Sequence, residues 1–143
     1  MTKRVLLEQC RRSMAVTEDE LYMFKKNNDI WWIHHDEGHI QVVKCIIQYL
    51  DNISGSINKK EFRKFLNKKI KKALKIRTDL DIKYNLFKND EEISEEDQKV
   101  YAFNSGIDCE AKTFLRIING KNYYDKKSYE STDWVSLGLI KKW

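Results

Sequence analysis

The stretch GHIQVVKCIIQYLD, residues 38–51, decides the fold class. Ile40, Val43, Ile47 and Leu50 recur at helical spacing, and Val42, Ile46 and Tyr49 widen the same apolar face. Gln41, Lys44, Gln48 and Asp51 are left as one narrow polar stripe. A helix apolar over so wide an arc must be covered by neighbours on several sides, so it belongs at the centre of a core. Asp36 stands where an N-cap is wanted and Gly55 lies in the turn beyond the far end.

Working outward, the flanking segments also read as helices bounded by caps. Val5 to Met14 forms a short helix, and Thr17 with Glu20 makes a capping box that opens Glu18 to Lys26, with Leu21 and Phe24 inward. Beyond the turn, Asn58 caps a second strong helix whose inner face is Phe62, Phe65, Leu66, Ile70, Ala73 and Leu74. Lys69 falls inside that apolar stripe and has to snorkel. From Leu80 the period changes: Leu80, Ile82, Tyr84 and Leu86 alternate with polar residues, the pattern of a strand. Ser94 with Asp97 starts a helix through Phe103, and Asp108 caps another that buries Ala111, Phe114, Leu115 and Ile118 and ends at Gly120. The competing reading of the region 109–125 is a hairpin turning at Asn119-Gly120. The expected fold is therefore mainly α: one compact helical domain over 1–143, with a minor β element at 80–86 or in the last twenty residues, and α+β as the alternative.

Composition narrows the class. At 41% hydrophobic and 12% aromatic residues the chain is too apolar to stay disordered, and 143 residues suffice for a real core. No run approaches the roughly 20 apolar residues of a membrane span, so no membrane is expected. Cys10, Cys45 and Cys109 are odd in number and form no CxxC pair, which points to a reducing, intracellular setting: the cytoplasm, or the nucleus. Cys45, on the central helix, reads as a small core residue.

All three histidines lie in WWIHHDEGH, residues 31–39. His35 and His39 have the i, i+4 spacing that can supply two zinc ligands from one helical face. With Asp36 as a cap and Gly38 between them, however, they straddle a helix start, and HDEGH departs from the H-E-x-x-H pattern. The expectation is no metal and no cofactor, with Trp31, Trp32 and Ile33 in the core and the histidines at its rim.

Residues 29–52, DIWWIHHDEGHIQVVKCIIQYLDN, resemble a single ankyrin repeat. Ile33-His34 match the Leu-His of its opening turn, Gly38-His39 its Gly-His, and Val42, Val43, Lys44, Ile46 and Ile47 its second helix. The resemblance implies a helix-turn-helix unit in which the histidine is structural. IHHDEG also resembles the paired histidines that open the metal core of HNH nucleases, which would make His34, His35 and His39 the centre of a metal-dependent nuclease. The stretch 50–62 is similar to a calcium EF-hand loop, but Leu50 stands at its first ligand position and Glu61 is its sole carboxylate donor, so calcium is excluded.

Charge carries the functional expectation. Lys59 to Arg77 holds ten basic residues and one acid, a local +9 in a chain of +5, which leaves the remainder at −4. Lys60, Lys64, Lys68, Lys71, Lys72 and Lys75 crowd the polar face of that helix. A row of lysines suits phosphates without reading bases, so the first expectation is a non-enzymatic binding protein that docks on nucleic acid or a nucleoprotein complex. The competing use of those charges is pairing with Asp90, Glu91, Glu92, Glu95, Glu96 and Asp97. The second functional class is a protein-interaction module, of the kind a viral or phage factor uses to occupy a host protein, working through Tyr123, Tyr124, Tyr129 and Trp134. No catalytic residues are expected: the chain has no Gly-rich phosphate loop and no Ser or Cys nucleophile motif.

Overall fold

The computed structural model describes residues 2–84 and 93–120. They form four helices, α1 (Lys3–Lys26), α2 (Ile30–Asp51), α3 (Lys59–Tyr84) and α4 (Glu95–Ile118), and no strand occurs among the described residues. The mainly α expectation holds. None of the described helices is long and apolar enough to cross a membrane.

Each helix starts and stops for a local reason. Thr2 caps α1 by accepting from the Val5 N–H, and Lys25 and Lys26 in its last turn face the negative end of the helix dipole. The exit is a Schellman turn: Asn28, in the left-handed region at φ 54°, donates to the Lys25 carbonyl, and Asp29 donates to that of Phe24. Asn58 caps α3 through Oδ1, which accepts from the Glu61 N–H at 3.1 Å. Ser94 does the same for α4 at 3.2 Å, with Glu95, Glu96 and Asp97 in the first turn.

Several expected boundaries are not formed. Thr17 does not open a new helix; α1 runs through it and buries it at 6% exposure. Asp36 is not a cap either, because α2 begins at Ile30 and carries Asp36 in its second turn, 2% exposed. Residues 29–52 are thus one helix and its two end residues, and the turn implied by the ankyrin resemblance is absent. Asp108 is interior to α4, paired with Arg77 and Lys112 at 3.1 Å each. The expected strand at 80–86 is helical through Tyr84, beyond which 85–92 lie outside the described residues. Leu80 and Tyr84 are half-buried while Ile82 is 73% exposed, as i, i+4 neighbours on a helix require and a strand face would not. The region 109–118 is helical rather than a hairpin, and Gly120, at φ 80°, follows its end.

Contacts along the helices give their directions. The Lys3 ammonium reaches the Ile53 carbonyl at one end of the α1/α2 pair and Phe24 stacks on Trp32 at the other, so these helices are antiparallel. Arg63 to Asn119, Arg77 to Asp108 and Lys83 to Asp97 set α3 antiparallel to α4. Between α2 and α4 the order ascends together, Trp31 with Tyr101, His39 with Glu110, so these two run parallel and touch directly. In an up-down bundle such helices would sit on a diagonal. Here α1 lies along one groove of the α2/α4 pair and α3 along the other, as the residues lining the two clefts show.

Two glycines permit that contact. A Cβ on Gly38 would run into the Phe103 carbonyl oxygen, and one on Gly106 into the carbonyl of His35. The side chains then separate into two layers. Val42, Val43, Ile46 and Leu50 meet Ala111, Phe114 and Ile118, with Leu6, Cys10, Phe62 and Leu66 closing an apolar core. Around the crossing polar side chains are buried as well: Asp36, Asn104, Asp108 and Glu110 are all under 8% exposed.

Candidate functional site

The basic face is built by α3. At 100° per residue, Lys60, Lys64, Lys68, Lys71, Lys72 and Lys75 fall within an arc of about 120° and a length of about 22 Å. All six are exposed. The buried residues Phe62, Leu66 and Ala73 lie on the opposite side of the helix. Three of the four other basic residues of the segment are engaged: Arg77 pairs with Asp108, Arg63 donates to Asn119 Oδ1 at 2.8 Å, and the Lys69 ammonium sits 5.5 Å from the Phe65 ring centre, the snorkelling its position demands. Of the six lysines only Lys64 lies within 4 Å of a carboxylate among the described residues, that of Glu61 at 3.6 Å. Glu95 and Asp97 turn instead to Lys99 and Lys83; Asp90, Glu91 and Glu92 lie outside the described residues.

A second cluster was not legible as a unit. Because α2 runs unbroken from Ile30, His35 and His39 share one face one turn apart, their ring centres 4.9 Å from each other. The expectation that they straddle a helix start is overturned. The glycine crossing sets Cys109 and Glu110 of α4 against them. One ligand atom each from His35, His39 and Cys109 lie within 4.8 Å of one another. His39 Nδ1 is 2.6 Å from Glu110 Oε2, and the Ser13 hydroxyl of α1 donates to Glu110 Oε1. Against an ionised carboxylate, which only accepts, Nδ1 carries the ring proton.

His35, Asp36, His39 and Glu110 form one wall of a cleft of about 490 Å³ between α1, α2 and α4, with Ser13, Thr17 and Glu20 opposite. Within it, His35 Nδ1 and Asp36 Oδ2 are buried without a hydrogen-bond partner. The His35 Nδ1 to Asp36 Oδ1 separation of 3.9 Å is too long for a hydrogen bond. Burial lowers the His35 pKa from its ordinary value and keeps the ring neutral. The Glu20 carboxyl is raised, first by desolvation and then by the charge of Asp36. Cys10 is pushed up to about 12 by burial and by Glu110, and behaves as a core residue.

Other expected residues are placed differently. Trp31 and Trp32 are 36% and 38% exposed, not core. His34 pairs with Glu37 at 3.1 Å, about 100° round α2 from His35. Cys45 is half-buried beside the smaller cleft between α2, α3 and α4, and accepts from the Gln41 amide, so it is not a fully buried core residue. Leu74, expected inward, is 52% exposed. Tyr123, Tyr124, Tyr129 and Trp134 lie outside the described residues. Sequence reasoning missed Cys109, Glu110 and Glu20; the one available signal was the i, i+4 histidine pair with a glycine between its members. No protein-family model, curated protein or solved structure matches the chain.

Proposed function

We propose that the protein is an intracellular polyanion-binding module that docks the outer face of α3 on the phosphates of nucleic acid, alone or within a nucleoprotein complex. The observation that carries this reading is the lysine ridge: six exposed lysines along one face of α3, with a single weak carboxylate neighbour among the described residues. The Lys64–Glu61 pair is exposed on both sides, so its strength is below about 1 kcal/mol and leaves Lys64 available to a phosphate. Lysine offers a point charge rather than a bidentate fork, which favours backbone contact without base reading. The histidine cleft opens on the α1 side of the α2/α4 pair and the ridge on the α3 side, so docking along the ridge does not deliver a phosphodiester to the histidines.

The test is a salt titration against unrelated duplex and single-stranded oligonucleotides. Four to six neutralised phosphates give a slope of log K against log salt of about −4 to −5 on duplex and about −3 to −4 on single strands. Reversing Lys64, Lys68, Lys71 and Lys75 to glutamate abolishes binding at low salt and leaves the helical content intact. Absence of binding by the native protein at low ionic strength, or binding that survives the reversal, overturns the reading.

A further inference from the structure

We propose that His35, His39 and Cys109 form a site for one divalent ion of the Zn²⁺ type, with Glu110 as the residue that orients His39. This inference stands apart from the nucleic-acid reading, since no residue of α3 takes part.

Two glycines set the backbone of the site. His35 and His39 flank Gly38 on α2, and Cys109 follows Gly106 by one turn on α4. Each glycine lies where any side chain would strike the other helix, so the two helices approach more closely than ordinary packing allows. At that separation a thiol on α4 reaches the imidazoles on α2, and the three donor atoms fall within 4.8 Å of one another. Donors around a tetrahedral zinc ion, at 2.0–2.3 Å from it, stand about 3.3–3.8 Å apart. Closing the remaining distance takes shifts of about 1 Å in the donor atoms, and the His39 and Cys109 side chains are only half-buried.

The surroundings match what a ligating histidine needs. A metal-bound imidazole commonly donates its other ring N–H to a carboxylate, which fixes the tautomer and the ring plane. His39 donates Nδ1–H to Glu110, which leaves Nε2 as its lone-pair nitrogen. Glu110 is itself held, 4% exposed, by the Ser13 hydroxyl on its second oxygen. One buried carboxylate and one half-buried hydroxyl, from two further positions, thus orient a single ring.

An independent observation points to a missing ligand. His35 Nδ1 and Asp36 Oδ2 are buried without a well-formed hydrogen bond, Asp36 is only 2% exposed, and the Glu20 carboxyl interacts with Asp36 from across the cleft. Leaving a buried polar group unsatisfied costs about 1–3 kcal/mol, and such groups persist where something else satisfies them. A cation beside His35 would take up the imidazole lone pair and stabilise the Asp36 charge next to it.

The donor set selects the ion. Two imidazoles and a thiolate suit borderline-soft metals such as Zn²⁺ and Co²⁺, and not Mg²⁺ or Ca²⁺, which want oxygen. On binding, the Cys109 thiol gives its proton to solvent and the thiolate sulfur donates to the ion. Three protein donors leave one tetrahedral position for water.

The experiment titrates chelator-stripped, reduced full-length protein with Co²⁺ and then displaces it with Zn²⁺. The expected result is one ion per chain, with the visible ligand-field bands of a tetrahedral site and a thiolate-to-cobalt charge-transfer band, both erased by one equivalent of Zn²⁺. Cys109→Ser loses the charge-transfer band, His35→Ala and His39→Ala abolish stoichiometric binding, and Glu110→Gln weakens it by about 10 to 100-fold while the spectrum keeps its form. His34→Gln and Cys45→Ser, which lie off the cluster, bind as the native protein does. Failure of the folded native protein to bind one Co²⁺, octahedral spectra without a thiolate band, or binding that is lost with His34 or Cys45 instead, would each overturn the proposal. The native titration decides the matter even where a variant fails to fold.

Discussion

Replacing Gly38 by alanine sets two effects of opposite sign against each other. In an ordinary helix interior the change is favourable by about 0.8–1.0 kcal/mol, because alanine has the higher helix propensity and restricts the unfolded chain. Here the added methyl group lands on the Phe103 carbonyl, with the Phe103 carbonyl carbon and the Ile107 nitrogen both 3.0 Å away. All three are backbone atoms of α4, so no rotamer change relieves the contact and the helices must move apart. Overpacking of this kind costs about 1–3 kcal/mol, and the rigid neighbour argues for the upper end or above. A radial gap of 0.5–1 Å forfeits about a quarter to a half of each dispersion contact. The seam that opens includes Val42, Ile46, Ala111 and Phe114, all at most 1% exposed. With about 1 kcal/mol of propensity set against about 3 kcal/mol or more of overpacking, the net loss is about 2 kcal/mol or more. That corresponds to a fall in Tm of about 8 °C for a domain of this size. Urea unfolding followed by far-UV circular dichroism measures it. A Gly38→Ala variant as stable as the native protein, or more so, would refute the close crossing of α2 and α4 on which the cluster depends.

Two further outcomes follow from buried charge. Arg77→Met removes the partner of Asp108, which is 9% exposed at its side chain, and leaves Lys112 as its remaining ion pair. The expected loss is about 2–3 kcal/mol in chemical denaturation, and Asp108→Asn in the same chain recovers part of it; equal and additive losses would contradict a coupled pair. Glu20 has its pKa raised by desolvation and by the charges of Asp36 and Glu110, with His39 opposing. A raised carboxyl favours the protonated folded form, so its contribution is fully present below the ordinary value of 4.5 and is lost as pH climbs through the folded value. In metal-free protein, Glu20→Gln should therefore raise Tm at about pH 7.5 and have little effect at about pH 4, and a gain at the acid end alone would contradict the assignment.

What the sequence disclosed and what it concealed follow the range of the interactions involved. The lysine face of α3 was legible because helical periodicity is a local property: Lys60 to Lys75 and Phe62 to Ala73 separate by angle alone. Asn58 and Ser94 were legible as caps because each bonds an N–H three residues on. Thr17, Asp36 and Asp108 carry the same cap chemistry, and nothing near them in the chain shows that they are instead buried between helices. The partner of Asp108, Arg77, comes from another helix, and so does Gly106, whose backbone meets the His35 carbonyl beside Asp36. Gly38 reads as punctuation in a one-dimensional pattern, whereas its role is to admit a second backbone. Trp31 and Trp32 show the converse error, since large apolar side chains at a helix start were expected inside and lie over a third exposed. The histidine pair was visible at its i, i+4 spacing; Glu110, 71 positions beyond His39, was not.

The parallel pairing of α2 and α4 divides the chain into two successive helical hairpins, α1 with α2 and α3 with α4, each assembled from neighbours in sequence. The seam between them joins the first half of the chain to the second, and it is there that the imidazoles of the one face the thiol and carboxylate of the other. Neither hairpin owns that constellation. It exists only where the two hairpins meet, so an ion lodged there would act as a rivet between them, holding the lysine-bearing hairpin to its mate.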